Sequence, residues 1–204
     1  YLGQKPPADS PELFAPGYIS TNTTEWTLTF TPDGLEAFYT LQGLEGYNHI
    51  VYLKSMNGVW QQPEIAPFSN PDHNADPFIS PDGKKLFFWS NGPEDPTKKP
   101  ENNSDIWYVE RDGNSWGKPM RLDSTINTKH WQIFPTVSLS GNLYFSCNYP
   151  DSRGSFDIYK SEFINGKYTK PVNLRDSINT PSLEQEPYIA ADERISVNEL
   201  RASD

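Results

Sequence analysis

The sequence contains one cysteine, no long apolar run and few basic residues. Because Cys147 stands alone, no internal disulfide can form, and its strand-like surroundings predict a buried, inert thiol. No apolar stretch approaches the roughly 18 residues of a membrane span. Lys and Arg total 17 against 27 Asp and Glu, for a net charge of −10. Such a chain repels phosphate backbones, so we expect no nucleic-acid partner and a surface open to cations or basic proteins.

Proline, glycine and aromatic residues are, by contrast, abundant. The chain holds 19 Pro and 13 Gly spread along 204 residues, and 14% of its residues are Phe, Trp or Tyr. Proline and glycine at this density break helices and favour turns, while aromatic side chains bury large areas. The composition therefore predicts one domain of short strands with an aromatic core.

A turn motif recurs along the chain. Its copies are Phe30-Thr-Pro-Asp-Gly34, Ile79-Ser-Pro-Asp-Gly83, the shorter Val137-Ser-Leu-Ser-Gly141, and a degraded form that begins at Tyr188. Proline presets the turn, aspartate bonds its own backbone and glycine takes a positive φ, so each copy predicts a hairpin.

A second motif follows each turn, in residues 49–63, 105–119 and 157–171. It consists of an apolar strand, a Gly or Asn turn, and an aromatic residue three positions before a proline. Because proline cannot donate to a ladder, this last piece is expected to form an edge strand that opens with the ring and closes with the proline. The recurring rings Trp60, Trp116 and Tyr168 are expected to pack in the core.

Together the motifs define units of about fifty residues with four short strands each, which is the make-up of a propeller blade. We predict an all-β fold, a β-propeller of four-stranded antiparallel blades with about 3.5 blades present. The units are about 17–70, 71–128, 129–180 and a partial 181–204, after an N-terminal extended segment 1–16. A ring needs about four to eight blades. We therefore expect part of a larger propeller, or self-association through open apolar blade faces.

The run Ser80-Pro-Asp-Gly-Lys-Lys-Leu-Phe-Phe88, with Asp-Ile-Tyr and Trp-x-x-Pro motifs following, resembles PD40 repeats. These repeats occur in TolB-like, WD40-like β-propellers of the bacterial envelope, and the resemblance covers roughly residues 17 to 192. The opening Tyr1-Leu-Gly-Gln-Lys-Pro-Pro, with Leu13-Phe-Ala-Pro-Gly17, is similar to small exported PD40 proteins of unassigned role. In those proteins it follows a signal peptide. The resemblance implies a periplasmic, envelope or secreted location.

Polar residues recur nine positions before the turn glycine or its equivalent, and a second set lies two residues further on. The sets are Glu25, Asn74, Gln132 and Glu184, then Thr27, Asp76, Phe134 and Glu186. In a propeller these segments face one mouth of the central channel. An acidic rim for a cation or a basic peptide is therefore predicted, made of Glu25, Asp76, Glu184 and Glu186. The alternative is that these residues cap backbone N–H groups of loops.

Three tryptophans, Trp26, Trp89 and Trp131, do not recur in the repeat. They either pack between blades or present flat rings to a sugar or a cation. The predicted ligand site comprises Glu25, Trp26, Asp76, Trp131, Gln132, Glu184 and Glu186.

The segment Asp72-His-Asn74-Ala-Asp76 alternates oxygen ligands as a calcium loop does. It lacks the glycine at the sixth place and the glutamate at the twelfth. These three residues are weak candidate calcium ligands, and no other cofactor is expected.

No nucleophile elbow, phosphate loop or paired histidine motif is present in the sequence. We therefore expect an exported binding module for a protein or glycan ligand, without clear catalytic machinery. The alternative is a periplasmic hydrolase or lyase that acts on polysaccharide or peptide through carboxylates at the channel mouth. A third hypothesis is a structural repeat that assembles with a partner through its blade faces.

Overall fold

A computed structural model shows an all-β protein built from successive antiparallel sheets. It describes residues 2, 4–5, 9–10, 12–69, 72–95, 97–100 and 102–200, with side chains as far as residue 195. The strands in chain order are β1 (Glu25–Phe30), β2 (Glu36–Gln42), β3 (Asn48–Met56), β4 (Val59–Trp60), β5 (Glu64–Ile65), β6 (Asn74–Ile79), β7 (Lys85–Ser90), β8 (Asp105–Asp112), β9 (Ser115–Trp116), β10 (Met120–Arg121), β11 (Gln132–Val137), β12 (Leu143–Cys147), β13 (Asp157–Ser161), β14 (Phe163–Ile164), β15 (Lys167–Tyr168), β16 (Val172–Asn173), β17 (Leu183–Ile189) and β18 (Ile195–Leu200). A 3₁₀ turn covers Arg175–Ser177.

Each of the first three sheets is a four-stranded antiparallel meander in chain order. The orders are β1-β2-β3-β5, β6-β7-β8-β10 and β11-β12-β13-β16, and the fourth sheet is the pair β17-β18. The first strands of successive sheets lie side by side, so the sheets radiate as blades from a common centre. This arrangement confirms the predicted all-β propeller of four-stranded blades. Among the described residues, no helix is long and apolar enough to span a membrane.

The segment beyond each third strand differs from the single edge strand that we expected. The recurring ring lies in a two-residue strand, and in the first two blades that strand folds back on the end of the third strand. In the third blade it pairs with the separate strand β14. The outermost strand then starts after Pro63, Pro119 or Pro171. Proline has no N–H to donate, so the ladder resumes only beyond it.

Apolar clusters fill the spaces between blades. One joins Phe38 and Ile50 of blade 1 to Leu86 and Phe88 of blade 2, and Trp116 packs against it. The Trp116 ring meets Phe38 edge-on, with centroids 5.7 Å apart. The next cluster joins blades 2 and 3, with Tyr168 at its border. Trp116 and Tyr168 therefore pack between blades, and Trp60 packs on the cluster that blade 1 forms with the N-terminal segment. All three rings pack in the core, as the repeat predicted.

The thiol of Cys147 lies buried in the second of these clusters. Burial raises its pKa to about 12, although an amide hydrogen bond from Gln132 opposes the shift. The thiol therefore stays protonated near neutral pH, which agrees with the predicted inert residue.

The N-terminal segment covers the face of blade 1 that points away from blade 2. Ala15 and Ile19 are buried against Ala37, Tyr39 and Val51 on that face. This face, which we expected to be bare, is therefore covered within the chain. The segment also repeats the backbone pattern found at the end of a blade. The Ala15 carbonyl accepts from the N–H groups of residues 18 and 19, as the Asp123 carbonyl does from residues 126 and 127.

A carboxylate from the fourth sheet completes the turn of blade 3. In blades 1 and 2 the turn aspartate accepts a hydrogen bond from the hydroxyl two residues earlier, at 2.6 Å and 2.7 Å. Blade 3 has Ser140 at this position, and Glu193 supplies the missing carboxylate from the neighbouring blade. Its Oε1 accepts from the Ser140 hydroxyl at 2.6 Å and from the Asn142 amide at 2.7 Å. Its Oε2 accepts from Lys160 at 3.1 Å.

We expect Glu193→Gln to lower the free energy of unfolding by about 2 kcal/mol, because a neutral amide replaces a charged acceptor of several hydrogen bonds. These bonds, that from Ser140 foremost, hold the Glu193 pKa at about 2 against 4.5 for an ordinary glutamate. The stabilisation is thus complete above about pH 4.5 and is lost as the pH falls through about 2. Urea unfolding across this range measures both effects.

The control is Glu162→Gln, since Glu162 is exposed and lies 4.0 Å from Lys160. It should change stability by less than about 0.5 kcal/mol. Equal losses in the two variants would contradict the assigned role of Glu193.

Candidate functional site

Each first strand contains a bulge at the same place. The register of pairing shifts between residues 26 and 29, 75 and 78, 133 and 136, and 185 and 188. The bulged residues have left-handed φ angles of +52° at Thr27, +57° at Asp76, +53° at Phe134 and +52° at Glu186. A proline follows in three of the four strands, and a proline inside a strand is accommodated by a bulge. Non-glycine residues in this conformation cost of order 1 kcal/mol each.

The four bulged residues line one cavity of about 290 Å³ at the centre of the blades. The cavity is lined by Trp26, Thr27, Leu28, Thr29, Asp76, Pro77, Phe78, Phe134, Pro135, Glu186, Pro187 and Tyr188. Every first strand contributes to it, so it is the central channel of the propeller. We call it the channel cavity.

Asp76 is the most constrained group in the channel cavity. Its side chain is buried, and its Oδ1 accepts hydrogen bonds at 2.9 Å from both the Trp26 indole and the Thr27 hydroxyl of blade 1. Its Oδ2 accepts from the Trp89 indole of its own blade. Burial raises the Asp76 pKa to about 6, against the lowering effect of these donors, and the charge of Glu186 adds to the rise. Asp76 is therefore poised to change its charge close to neutral pH.

Glu186 faces the same cavity but is exposed to solvent. None of the described residues that line the cavity is Lys, Arg or His. The cavity thus combines two carboxyl groups with aromatic rings and has no cation among its described walls. Such a surface favours cationic groups, which carboxylates and ring faces both attract.

The residue two places after each bulge alternates in type around the channel. In blades 1 and 3 it is threonine, and the hydroxyls of Thr29 and Thr136 accept N–H groups of the next blade at 3.4 Å and 3.3 Å. In blades 2 and 4 it is aromatic. Phe78 and Tyr188 meet with ring centroids 6.3 Å apart, although blade 3 lies between their blades in sequence. The two rings therefore bring blades 2 and 4 together across the channel.

The other predicted site residues lie outside the channel cavity. Glu25 accepts hydrogen bonds from the hydroxyls of Thr21 and Thr23, and Glu184 accepts one from Thr180. Gln132 is buried and bonds Thr128 through both its amide atoms. These three side chains bind the segment that leads into their own strand. Of the four residues of the predicted acidic rim, the structure brings together Asp76 and Glu186.

Of the three non-recurring tryptophans, two contact the channel carboxylate and one lies away from it. Trp26 and Trp89 converge on Asp76. Trp131 is 40% exposed and does not line the channel cavity, and its backbone N–H donates to Asn148.

Two of the three weak calcium candidates, Asn74 and Asp76, form side-chain hydrogen bonds within the chain. The Asn74 amide donates to the Asp72 carbonyl at 2.6 Å, while the Asp76 carboxylate points to the two indoles. In the part of the chain that the structure describes, no three His, Cys, Asp or Glu side chains are placed to share a metal ion.

Sequence reasoning missed Phe78, Tyr188 and the prolines of the channel cavity. The signal was present, because Pro77, Pro135 and Pro187 each lie six positions before the turn glycine or its equivalent. A proline within a strand indicates a bulge, and a recurring bulge would have identified the bulged residues and their neighbours.

The radial blades and the channel that they enclose define a TolB-like β-propeller fold. TolB from Acinetobacter baumannii aligns over 87% of this chain with a TM-score of 0.58 and 19% sequence identity. Putative TolB from Agrobacterium tumefaciens aligns over 86% with a TM-score of 0.56 and 18% identity. A thermostable family-43 glycoside hydrolase aligns over 87% with a TM-score of 0.52 and 15% identity.

At these identities the likeness establishes the fold alone. The aligned region spans 38% and 54% of the two TolB structures and 71% of the hydrolase. No protein-family model and no curated protein matches this sequence. The similar structures thus include both TolB proteins and a hydrolase, and the role must be argued from the site.

The buried carboxyl of Asp76 should leave a signature in the pH dependence of stability. Its folded pKa is about 6 and its ordinary value is 3.8, so the folded chain holds an extra proton between these values. The free energy of unfolding therefore falls as the pH rises through this window. Relative to Asp76→Asn, which cannot titrate, the parent should lose about 3 kcal/mol between about pH 3.5 and 7, at about 1.4 kcal/mol per pKa unit.

Urea unfolding at several pH values measures this difference. Glu186→Gln should narrow the pH range over which stability falls, because the charge of Glu186 contributes to the raised pKa of Asp76. Parallel stability curves for the parent and Asp76→Asn would show that Asp76 titrates normally.

Proposed function

We propose that this chain is a ligand-binding module of the bacterial envelope that holds a cationic segment of a protein ligand in the channel cavity. The observation that supports this most strongly is the pairing of Asp76 and Glu186 on one cavity. Its other described walls are aromatic, proline, leucine and threonine side chains. A cationic side chain gains from both carboxylates, and its aliphatic stem gains from the rings.

The supporting physical argument is preorganisation. The indoles of Trp26 and Trp89 and the hydroxyl of Thr27 fix the Asp76 carboxylate before any ligand arrives. A site held in its binding conformation loses little entropy on association. The left-handed bulges add to this rigidity, since the flanking ladders hold residues that would otherwise relax.

A protein ligand is favoured over a glycan because the cavity has few side chains suited to sugar hydroxyls. Thr27 and Thr29 already donate to Asp76 or accept from Ile79. The fold likeness to TolB is consistent with a binding role but does not identify the ligand.

The test uses short synthetic peptides of the same length in cationic, neutral and acidic versions, followed by tryptophan fluorescence. We expect the cationic peptide to bind more tightly than the others. Its affinity should fall by about tenfold in Glu186→Gln, which corresponds to about 1.4 kcal/mol. Affinity should also weaken below about pH 6, where Asp76 gains a proton.

The matched control is Glu45→Gln, since Glu45 is exposed and does not line the channel cavity. It should leave the affinity unchanged. Tighter binding of the acidic peptide, or equal losses in the two variants, would contradict the proposal.

A second candidate function is that of a hydrolase or lyase that acts on polysaccharide or peptide. It is favoured by one observation, that a carboxyl with a pKa of about 6 shares the cavity with an exposed glutamate. Unequal carboxyl pairs of this kind carry out acid–base catalysis in other proteins. Product release from polysaccharide or peptide substrates, abolished in both Asp76→Asn and Glu186→Gln, would establish this function in place of simple binding.

A further inference from the structure

Two of the three junctions between neighbouring blades are bridged by a carboxylate near the turn. At the junction of blades 1 and 2, Glu36 of blade 1 accepts from the Arg111 guanidinium at 2.8 Å and the Trp116 indole at 3.2 Å. At the junction of blades 3 and 4, Glu193 accepts from the turn of blade 3. Both carboxylates neutralise cations and hold the two blades together.

At the junction of blades 2 and 3, a lysine stands at the position that Glu36 occupies in blade 1. The Thr31 N–H donates to the Glu36 carbonyl, and the Ser80 N–H donates to the Lys85 carbonyl, so Glu36 and Lys85 are equivalent positions. Lys85 pairs with Glu110 of its own blade at 3.1 Å and lies over the Tyr108 ring. Among the described residues, no carboxylate of one blade is bonded to the other blade at this junction.

An open cleft lies at the junction of blades 2 and 3. It consists of two cavities of about 220 Å³ and 240 Å³ that share Lys85, Phe87, Phe163 and Tyr168. We call this the interblade cleft. Its charged lining residues are Lys84, Lys85, Arg121, Lys167, Asp82 and Asp123. Cations therefore outnumber carboxylates among the lining residues, on a chain whose net charge is −10.

The cations of the interblade cleft differ in how far they are already neutralised. Arg121 is paired with Asp105. Lys84 lies 3.7 Å from Asp82 and is 77% exposed. Lys167 is exposed and forms no ion pair with any described residue. Lys84 and Lys167 are thus available to an incoming anion.

The aromatic walls of the cleft indicate what carries the anion. Phe163 is 36% exposed, and its ring centroid lies 5.0 Å from that of Tyr168. Partly exposed rings offer flat apolar surface, which suits the C–H faces of sugar rings. Because the cleft extends over two adjoining cavities, it has room for more than one ring.

We propose that the interblade cleft binds an acidic oligosaccharide, whose carboxylates provide the bridging anion that this junction lacks. This site is separate from the channel cavity and does not depend on the function proposed for it. Carboxylates of the ligand pair with Lys84 of blade 2 and Lys167 of blade 3, while a sugar ring stacks on Phe163.

The experiment is calorimetric titration of the whole chain with an oligomer of galacturonic acid. The galactose oligomer of equal length lacks only the carboxylates, and polyglutamate carries the charge without the sugar. We expect the galacturonate to bind more tightly than both, with an affinity that falls as salt rises. Lys84→Gln and Lys167→Gln should each weaken binding by about tenfold.

The matched control is Lys118→Gln, an exposed lysine outside the cleft. It should leave the affinity unchanged, and Glu186→Gln should do the same, which separates this site from the channel cavity. Because Lys84 and Lys167 are both exposed, both variants should fold normally. Absence of galacturonate binding, equal binding of galactose, or equal losses in Lys118→Gln and Lys167→Gln would overturn the proposal. Tighter binding of polyglutamate would do so as well, in favour of an acidic protein partner.

Discussion

The packing of each blade against the next is the interaction on which the rest of this structure depends. A single four-stranded sheet of this chain has two apolar faces, and neither is buried until another blade, or the N-terminal segment, lies against it. The recurring rings contribute to this packing, because Trp116 and Tyr168 each extend from one blade to the cluster shared with the blade before. Blade stacking also places the four first strands side by side, so the channel cavity is a consequence of core packing.

Buried carboxylates add direction to this apolar packing. Hydrophobic contact alone fixes neither the rotation nor the sliding of one sheet on another, whereas hydrogen bonds to a charged acceptor do. Asp76 binds the Trp26 indole of blade 1 in the channel, and Glu36 binds Arg111 of blade 2 near the turns. The first pair of blades is thus fixed at two separate places. The junction of blades 2 and 3 depends on apolar contact near the turns.

The repeat made much of the fold predictable, and less of the site. Motif spacing indicated the hairpins, the order of strands and the packing role of Trp60, Trp116 and Tyr168, since these features depend on local sequence. It also drew attention to positions 76 and 186 as non-identical members of a repeated set. Motif spacing could not distinguish Asp76 and Glu186 from Glu25 and Glu184. The bulge in each first strand changes the face on which the side chains after it lie, and the spacing did not reveal the bulge. A shift of one residue in a strand reverses which face a side chain occupies.

By itself, the sequence determined the blade unit, its turns and its all-β character, because each of these follows from short-range backbone preferences and strand alternation. Only the tertiary structure decided which carboxylates meet. Asp76 and Trp26 are 50 residues apart in sequence, and Glu193 and Ser140 are 53 apart. Such contacts arise from how whole sheets stack, and the energy that sets that stacking comes from apolar surface distributed over many residues. No local pattern encodes it, so the channel cavity, the covered face of blade 1 and the cationic cleft appear only in the assembled fold.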